Sequence, residues 1–452
     1  MATVRTIETS SLGDRSYLAH DGEVAFVVDP QRDVDRVLRL AEEEGVRITH
    51  VLETHIHNDY VTGGLVLAER TGAAYHVNAD DEVSFERVGV RDGDVIEVSP
   101  SLRVRVVHTP GHTFTHLSYV LEATAEGDAV AFTGGSLLFG TTGRPDLLGQ
   151  AHAEELARHQ HASAHRLVDE VPDSAAVMPT HGFGSFCSAT QSDADESTIG
   201  RERTANPALT QDVETYVRET LDGLDLYPAY YAHMGPANAS GPPEADLTVP
   251  VRADKVELAR RIDAGEWVVD LRTRRAFAAG HVPGTYNVGL DGQMSTWVGW
   301  VVPWGAPVTL LGESEDEVAE AVRELARIGY DNTAASATGG PREWTDGDLA
   351  TLQRADFGDL LQVRHHRPVV VLDVRNPKEH AQEHLDGAVS IPLGQLVDRV
   401  ADVPDGEVWV HCASGYRASV AASILAARGR QVVVIDDDFD KAGQAGLVIV
   451  GS

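Results

Sequence analysis

Two short motifs recur in this chain at one and the same spacing. Val268-Val269-Asp270-Leu271-Arg272 reappears as Val371-Leu372-Asp373-Val374-Arg375, and His281-Val282-Pro283-Gly284 as His384-Leu385-Asp386-Gly387, both at an offset of 103 residues. A constant offset across two separated motifs marks a duplicated unit, and about 100 residues suits a small domain. The second half therefore reads as two tandem α/β modules, over 249–347 and 355–452. A chain of 452 residues exceeds one ordinary core, so residues 1–248 are expected to hold a further domain.

Hydrophobic residues make up 42% of the chain, enough for globular packing throughout. The formal net charge is −33, and only Lys255, Lys378 and Lys441 are lysines among 37 basic residues. Such acidity repels nucleic acid and anionic membranes, which excludes both as expected partners. The N-terminal residues lack the basic start and apolar run of a signal peptide. The longest apolar stretch, Trp297 to Leu311, is broken by Pro303 and Pro307 and reads as buried core, with a role in self-association as an alternative. Two cysteines, Cys187 and Cys412, cannot build a disulfide framework, so a reducing cytoplasmic setting is expected. Pro236, Gly241, Pro242 and Pro243 suggest a linker before Asp246.

The second module carries a nucleophile. Val408 to His411 reads as a buried strand and Val420 to Arg428 as a helix, with Cys412-Ala413-Ser414-Gly415-Tyr416-Arg417 between them. A strand, a tight glycine-containing loop and a helix start point backbone N–H groups at one spot. With the helix dipole and Arg417, that spot favours an anion, so Cys412 can attack as a thiolate. The module resembles the rhodanese family across the whole repeat. That resemblance makes Cys412 and Arg417 the catalytic pair, with Ser414, Gly415 and Tyr416 lining the substrate pocket. Tyrosine phosphatases use a similar cradle with five residues between cysteine and arginine. Here there are four, which the resemblance assigns to sulfur rather than phosphoryl transfer. The first module has Val308-Thr309-Leu310-Leu311-Gly312-Glu313 at the corresponding strand and no cysteine, and resembles a degenerate rhodanese.

The first 200 residues alternate β-like runs with helical patterns, placing polar residues at strand ends where α/β folds build sites. The run ending at Leu52 leads into His55-Ile56-His57-Asn58-Asp59-Tyr60, in which alternate histidines project to one side and can meet one metal ion. His112 follows at a turn and His181 at a strand end. The order resembles the HxHxDH signature of the metallo-β-lactamase superfamily, whose fold is an αββα sandwich. Within it the likeness is to the persulfide dioxygenases, including bacterial fusions to rhodanese modules. It rests on His55 to Gly63, Pro110-Gly111-His112-Thr113, Phe132-Thr133-Gly134, Gly143-Arg144-Pro145-Asp146 and Glu202 to Pro207.

The resemblance implies one Fe(II) per chain, with zinc as the alternative, held by His55 and His112. His57, Asp59 and His181 would orient those ligands or hold water, and Arg144 would grip an anionic thiol substrate. The family's third ligand, an aspartate after Phe132-Thr133-Gly134, is Gly135 here, and the last histidine of HxHxDH is Tyr60. The expected function is a fused persulfide dioxygenase and sulfurtransferase. It would take a low-molecular-weight thiol persulfide and O2 to sulfite, with sulfur passing through a Cys412 persulfide to or from thiosulfate. Two alternatives stand beside it: a sulfurtransferase whose N-terminal domain only binds a thiol persulfide, and a thioester hydrolase. Homo-oligomerisation is open at this point, as is the identity of the thiol carrier.

Overall fold

Strand Val24–Val28 shows how the N-terminal layers are built. All five residues are buried, but alternate side chains enter different cores. Val24, Phe26 and Val28 face Tyr119 and Phe132 of a second sheet, while Ala25 and Val27 face Val37 and Leu67 on helices. A strand with an apolar residue at every position can only sit between two covering layers. In the computed structural model, which describes residues 2–122, 128–190 and 194–451, this gives an αββα sandwich.

Its first sheet has six strands in chain order: Thr3–Thr9, Asp14–His20, Val24–Val28, Arg47–Leu52, Ala74–Asn78 and Val88–Val90. The second runs Ser197–Thr198, Ala176–Pro179, Val130–Gly134, Leu117–Leu121, Leu102–His108, Val95–Ser99. Helices Asp35–Glu44 and Gly64–Thr71 cover the outer face of the first sheet; Gln150–Glu170 and Val213–Gly223 cover the second. The histidine motif, Asp29 and His181 all follow directly on strands Arg47–Leu52, Val24–Val28 and Ala176–Pro179, at one end of the sandwich.

Of the segment read as a linker, Gly241, Pro242 and Pro243 lie in irregular chain running up to Asp246, but Pro236 lies in a helix. Tyr231–Ser240 forms a helix with Pro236 inside it, ending at Gly241 with φ 80°. The composition misleads because tertiary bonds hold this helix. Asn238 Nδ2 donates to the carbonyls of His57 and Tyr60 (2.9 and 2.8 Å), and Asn238 Oδ1 accepts from the Thr62 amide (2.9 Å). The helix thus clamps the metal-motif loop.

The chain groups into two compact units, with the break at Asp246/Leu247 and residues 326–329 grouping with the first. Apart from residues 326–329, both repeats lie in the second unit. Each is a parallel sheet: Tyr286–Asn287, Trp267–Asp270, Val308–Gly312, Thr333–Thr338 in one, and Gln353–Ala355, Val432–Ile435, Val408–His411, Val370–Asp373, Val389–Ser390 in the other. The recurring motifs turn out to be scaffold. Arg272 makes a bidentate pair with Asp270 (3.0 and 2.6 Å) and caps the Gly280 carbonyl; Arg375 does the same with Asp373 (3.0 and 2.7 Å) and the Glu383 carbonyl. The glycines of the second motif, Gly284 and Gly387, have φ of 87° and 74°, which favours glycine.

The two repeats are hydrogen-bonded to each other. The Asn287 amide donates to Ser423 Oγ, and Ser419 Oγ donates to Asn287 Oδ1, both at 3.0 Å. Helix Met294–Val301 is buried along its whole length, and Trp300 packs directly on Gly394. The apolar stretch is therefore used within the unit. Among the described residues no helix is long and apolar enough to cross a membrane.

Because Arg272 and Asp270 are both buried, removing one partner strands a charge. Arg272→Ala should cost about 3–5 kcal/mol, seen as a lower urea midpoint for the unfolding of the second unit, with the degenerate module as sensitive as its cysteine-bearing copy is to Arg375→Ala.

Candidate functional site

The histidine centre is organised by hydrogen bonds that hold one nitrogen of each ring and turn the other towards the cluster. Thr54 Oγ1 donates to the Asp29 carboxylate (2.7 Å), so towards His55 it can only accept, and His55 Nδ1–H donates to it at 2.9 Å. That leaves His55 Nε2 with an exposed lone pair. His112 Nδ1–H donates to the Arg144 carbonyl (2.9 Å), and its buried Nε2 meets no protein partner among the described residues. His181 Nδ1–H donates to Asp14 (2.9 Å) and lies 3.1 Å from Asp59, while its Nε2 faces His55 Nε2 at 3.4 Å. His57 turns Nε2 towards Glu53 (3.2 Å) and Asp29 (3.3 Å), leaving Nδ1 bare. Orienting metal-binding imidazoles through the far nitrogen in this way fixes both ring plane and tautomer.

Donor atoms of His55, His57 and His181 lie within 4.8 Å of one another and could hold a metal ion. All five residues expected at the centre, His55, His57, Asp59, His112 and His181, are buried there. Burial works against a charge on His181, but Asp59 and Asp14 more than offset it and raise its pKa. On His112 burial dominates, helped by the neighbouring His181, and lowers the pKa to about 3. Tyr60 fills the place of the last motif histidine. Its ring stacks on His57 at 4.3 Å and its hydroxyl lies 3.0 Å from His57 Nε2.

Arg144 is not free to grip a substrate. Its guanidinium pairs with Asp146 (2.7 and 2.9 Å) and donates to the carbonyls of Phe186 and Asp225, with 3% of the residue exposed. Its contribution to the site comes from its backbone carbonyl, which orients His112.

At the other centre, strand Val408–His411 delivers Cys412 to the loop, and helix Tyr416–Ala427 starts one turn earlier than the apolar pattern suggests. The Gly415 amide donates to Cys412 Sγ at 3.1 Å. Gly415 has φ 96°, and a Cβ there would stand 2.5 Å from Asp436 Oδ1, so both backbone and space call for glycine. Arg417 differs from expectation. Its guanidinium is held in a bidentate pair by Glu379 (2.5 and 2.7 Å), so both of its terminal nitrogens are already engaged. Tyr416 donates to the Gly289 carbonyl of the first repeat (2.6 Å), while Ser414 is exposed. A cleft of about 350 Å³ opens beside Ala413, lined by Arg375, Phe439 and the carboxylates of Glu379, Glu383, Asp438 and Asp440.

The sequence reading missed Arg274. It lies on helix Arg274–Ala279 of the degenerate repeat, yet its Nε donates to Asp436 (2.7 Å) and its NH2 reaches the Ser414 carbonyl (3.5 Å). The cysteine-free module thus brings a cation to the cysteine loop. No local motif announces it, because the contact spans 140 residues.

Comparison with known proteins agrees with this division. Residues 15–181 match the metallo-beta-lactamase superfamily, and 254–346 and 356–445 each match the rhodanese-like domain. The human mitochondrial persulfide dioxygenase ETHE1 is 28% identical over 54% of this chain and 81% of its own length. Its Bos taurus counterpart is 30% identical over 48% of this chain and 77% of its own. The chain belongs to the persulfide dioxygenase family. Two rhodanese-like domains extend it. A metallo-beta-lactamase from Staphylococcus aureus subsp. aureus COL matches over 74% of this chain and 98% of its own, at 29% identity and a TM-score of 0.65.

The aspartate that the resemblance implies as the third metal ligand is absent at Gly135. A facial triad needs a carboxylate beside two imidazoles; Gly135 supplies none, and the carboxylates nearest His181 are those of Asp14 and Asp59. A Cβ at Gly135 would lie 2.7 Å from His112 Cγ, so an aspartate has no room while His112 keeps its place. The Gly135 amide is itself engaged, donating to His116 Nε2 at 2.9 Å. His116, another residue missed in the sequence, is a satisfied buried histidine whose Nδ1 meets Thr109 (2.9 Å).

Two outcomes follow. Gly135→Asp should destabilise the first unit by about 1–3 kcal/mol through overpacking, read as a lower melting temperature with no gain in bound metal. Arg274→Ala should cut kcat/KM for sulfur transfer at Cys412 about tenfold, the worth of one charge-assisted hydrogen bond, while far-ultraviolet circular dichroism stays unchanged.

Proposed function

We propose that this chain moves sulfane sulfur, with Cys412 as the atom that carries it. The Gly415 N–H aimed at Cys412 Sγ from 3.1 Å is the observation on which the reading rests. That amide, together with the start of a 12-residue helix, stabilises negative charge on the cysteine sulfur and on an attacked anion. The Cys412 thiolate attacks the outer sulfur of thiosulfate or of a low-molecular-weight thiol persulfide. The donor's S–S bond breaks, sulfite or thiolate leaves with the electron pair, and Cys412 becomes a persulfide. An acceptor thiolate or sulfite then attacks that outer sulfur and releases the Cys412 thiolate. Arg274 and the loop amides bind and orient the donor, while Arg417 stays paired with Glu379.

Oxidation of a thiol persulfide by O2 and water to thiol and sulfite is the second reading. Four buried imidazoles favour it, as does family membership; two of the rings (at His57 Nδ1 and His112 Nε2) have a nitrogen without a hydrogen-bond partner among the described residues. Sulfite made there would be an acceptor for the Cys412 persulfide, yielding thiosulfate. Thioester hydrolysis by two metal ions is disfavoured, because Tyr60 stacks where the second ion's histidine would stand.

Cys412→Ser should abolish thiosulfate-to-thiol sulfur transfer and the gain of one sulfur atom in the intact mass after incubation with thiosulfate. Cys187→Ser should leave both in place; transfer that survives Cys412→Ser overturns the assignment. Oxygen uptake with glutathione persulfide, measured in the same Cys412→Ser protein, decides the second reading: sustained uptake supports it and none rejects it.

A further inference from the structure

Cys187 has no part in the sulfur relay, yet it is fully buried among metal-binding groups. Donor atoms of His112, His181 and Cys187 lie within 4.8 Å of one another. The common fate of a buried thiol is to fill space in an apolar core, but here the donor atoms of two imidazoles stand beside the thiol, and Asp59 lies 3.1 Å from one of them, His181. His112 Nε2 points into this cluster without a hydrogen-bond partner among the described residues, at 0% exposure. An unpartnered buried nitrogen costs free energy that a metal ion would remove.

The register of the cluster is built by a single residue. The Arg144 amide donates to the Cys187 carbonyl (2.8 Å), and the Arg144 carbonyl accepts from His112 Nδ1 (2.9 Å). An isolated bridge between Gly143 and Ser188 continues the pairing on either side. The backbone at Gly143-Arg144 therefore holds His112 and Cys187 side by side, and the guanidinium anchored on Asp146 keeps that backbone in place. This is the loop in which the family's carboxylate ligand is missing.

We propose that Cys187, His112 and His181 form a thiolate-containing site for a borderline divalent cation of the zinc class, in place of the family's carboxylate-based iron site. Tetrahedral zinc has bonds of about 2.3 Å to sulfur and about 2.0–2.1 Å to nitrogen, which sets donors about 3.3–3.6 Å apart. The present donors, all within 4.8 Å of one another, reach that spacing by contracting at most about 1.5 Å. His55 Nε2, 3.4 Å from His181 Nε2, is already at the separation two nitrogens take on one ion and is the fourth donor. On binding, the Cys187 S–H bond breaks, the metal–sulfur bond forms and the proton leaves to solvent. A thiolate with three imidazoles selects zinc-class ions over the oxygen-ligand preference of an iron oxygenase. The site does not depend on sulfur transfer at Cys412, so the two readings fail independently.

Cobalt(II) added to the metal-free full-length chain is the probe. One equivalent should produce a thiolate-to-cobalt charge-transfer band in the near ultraviolet. That band should persist in Cys412→Ser and vanish in Cys187→Ser and Cys187→Asp, the latter still binding cobalt through its carboxylate. A band that survives Cys187→Ser, or disappears in Cys412→Ser, overturns the proposal, as does cobalt binding to the wild-type chain with no such band. If both Cys187 variants fail to fold, X-ray absorption of zinc-loaded Cys412→Ser settles the matter: a sulfur scatterer at about 2.3 Å supports the site and a purely nitrogen and oxygen shell overturns it.

Discussion

A single buried carboxylate, that of Asp29, ties the two sheets of the N-terminal sandwich together and sets the histidine centre. It accepts from the amide and hydroxyl of Thr54 at the end of one sheet strand, and from the Thr180 hydroxyl at the end of a strand in the other sheet. Burial opposes its ionisation, but the facing His57 and these hydrogen bonds hold its pKa below the usual range. The Asp29 backbone has φ 50°, which costs a non-glycine residue roughly 1–2 kcal/mol. That strain is offset by placing one carboxylate against three loops. Through Thr54 the same group dictates the His55 tautomer, so a fold contact and a ligand orientation are one interaction.

The second unit uses charge in a similar way but for a different end. Asp270–Arg272 and Asp373–Arg375 are internal locks, repeated because both modules need the same strand-to-helix turn held. Asp436 instead joins the repeats, receiving Arg274 from the degenerate module while lying against Gly415 of the cysteine loop. A module that has lost its own nucleophile thereby shapes its neighbour's pocket. This explains why the two repeats pack as one unit, with Tyr416 and Asn287 bonded across the boundary.

The two centres differ in how completely they match their families. The cysteine loop has a strand, an amide-lined turn and a helix start in the arrangement expected of sulfur transfer. At the histidine centre the imidazoles are present but the third family ligand is replaced by a glycine that packs against His112, with Cys187 nearby on another loop. With glycine at position 135, the donors gathered at this centre are the imidazoles, Cys187 and the carboxylates of Asp14 and Asp59.

Much was legible in the sequence because it rested on local patterns. The strand-to-histidine junction at Leu52 to His57, the cysteine loop, and the 103-residue repeat are each written in a few contiguous residues, and alternation within strands such as Val24–Val28 demands covering layers on both faces. The sequence alone therefore determined the paired α/β modules and, through its resemblance to the metallo-β-lactamase superfamily, the αββα sandwich. Tertiary structure alone decided which groups are free to act. Arg144 and Arg417 look available as residues but are bound by Asp146 and Glu379, whereas Arg274 and Cys187 look incidental and arrive at the centres through contacts far apart in the chain. The helix over Tyr231–Ser240 eluded the sequence for the same reason, since Asn238 bonds to a loop 178 or more residues away. Local propensity is set by near neighbours, while the availability of a donor depends on every group that folding brings to it.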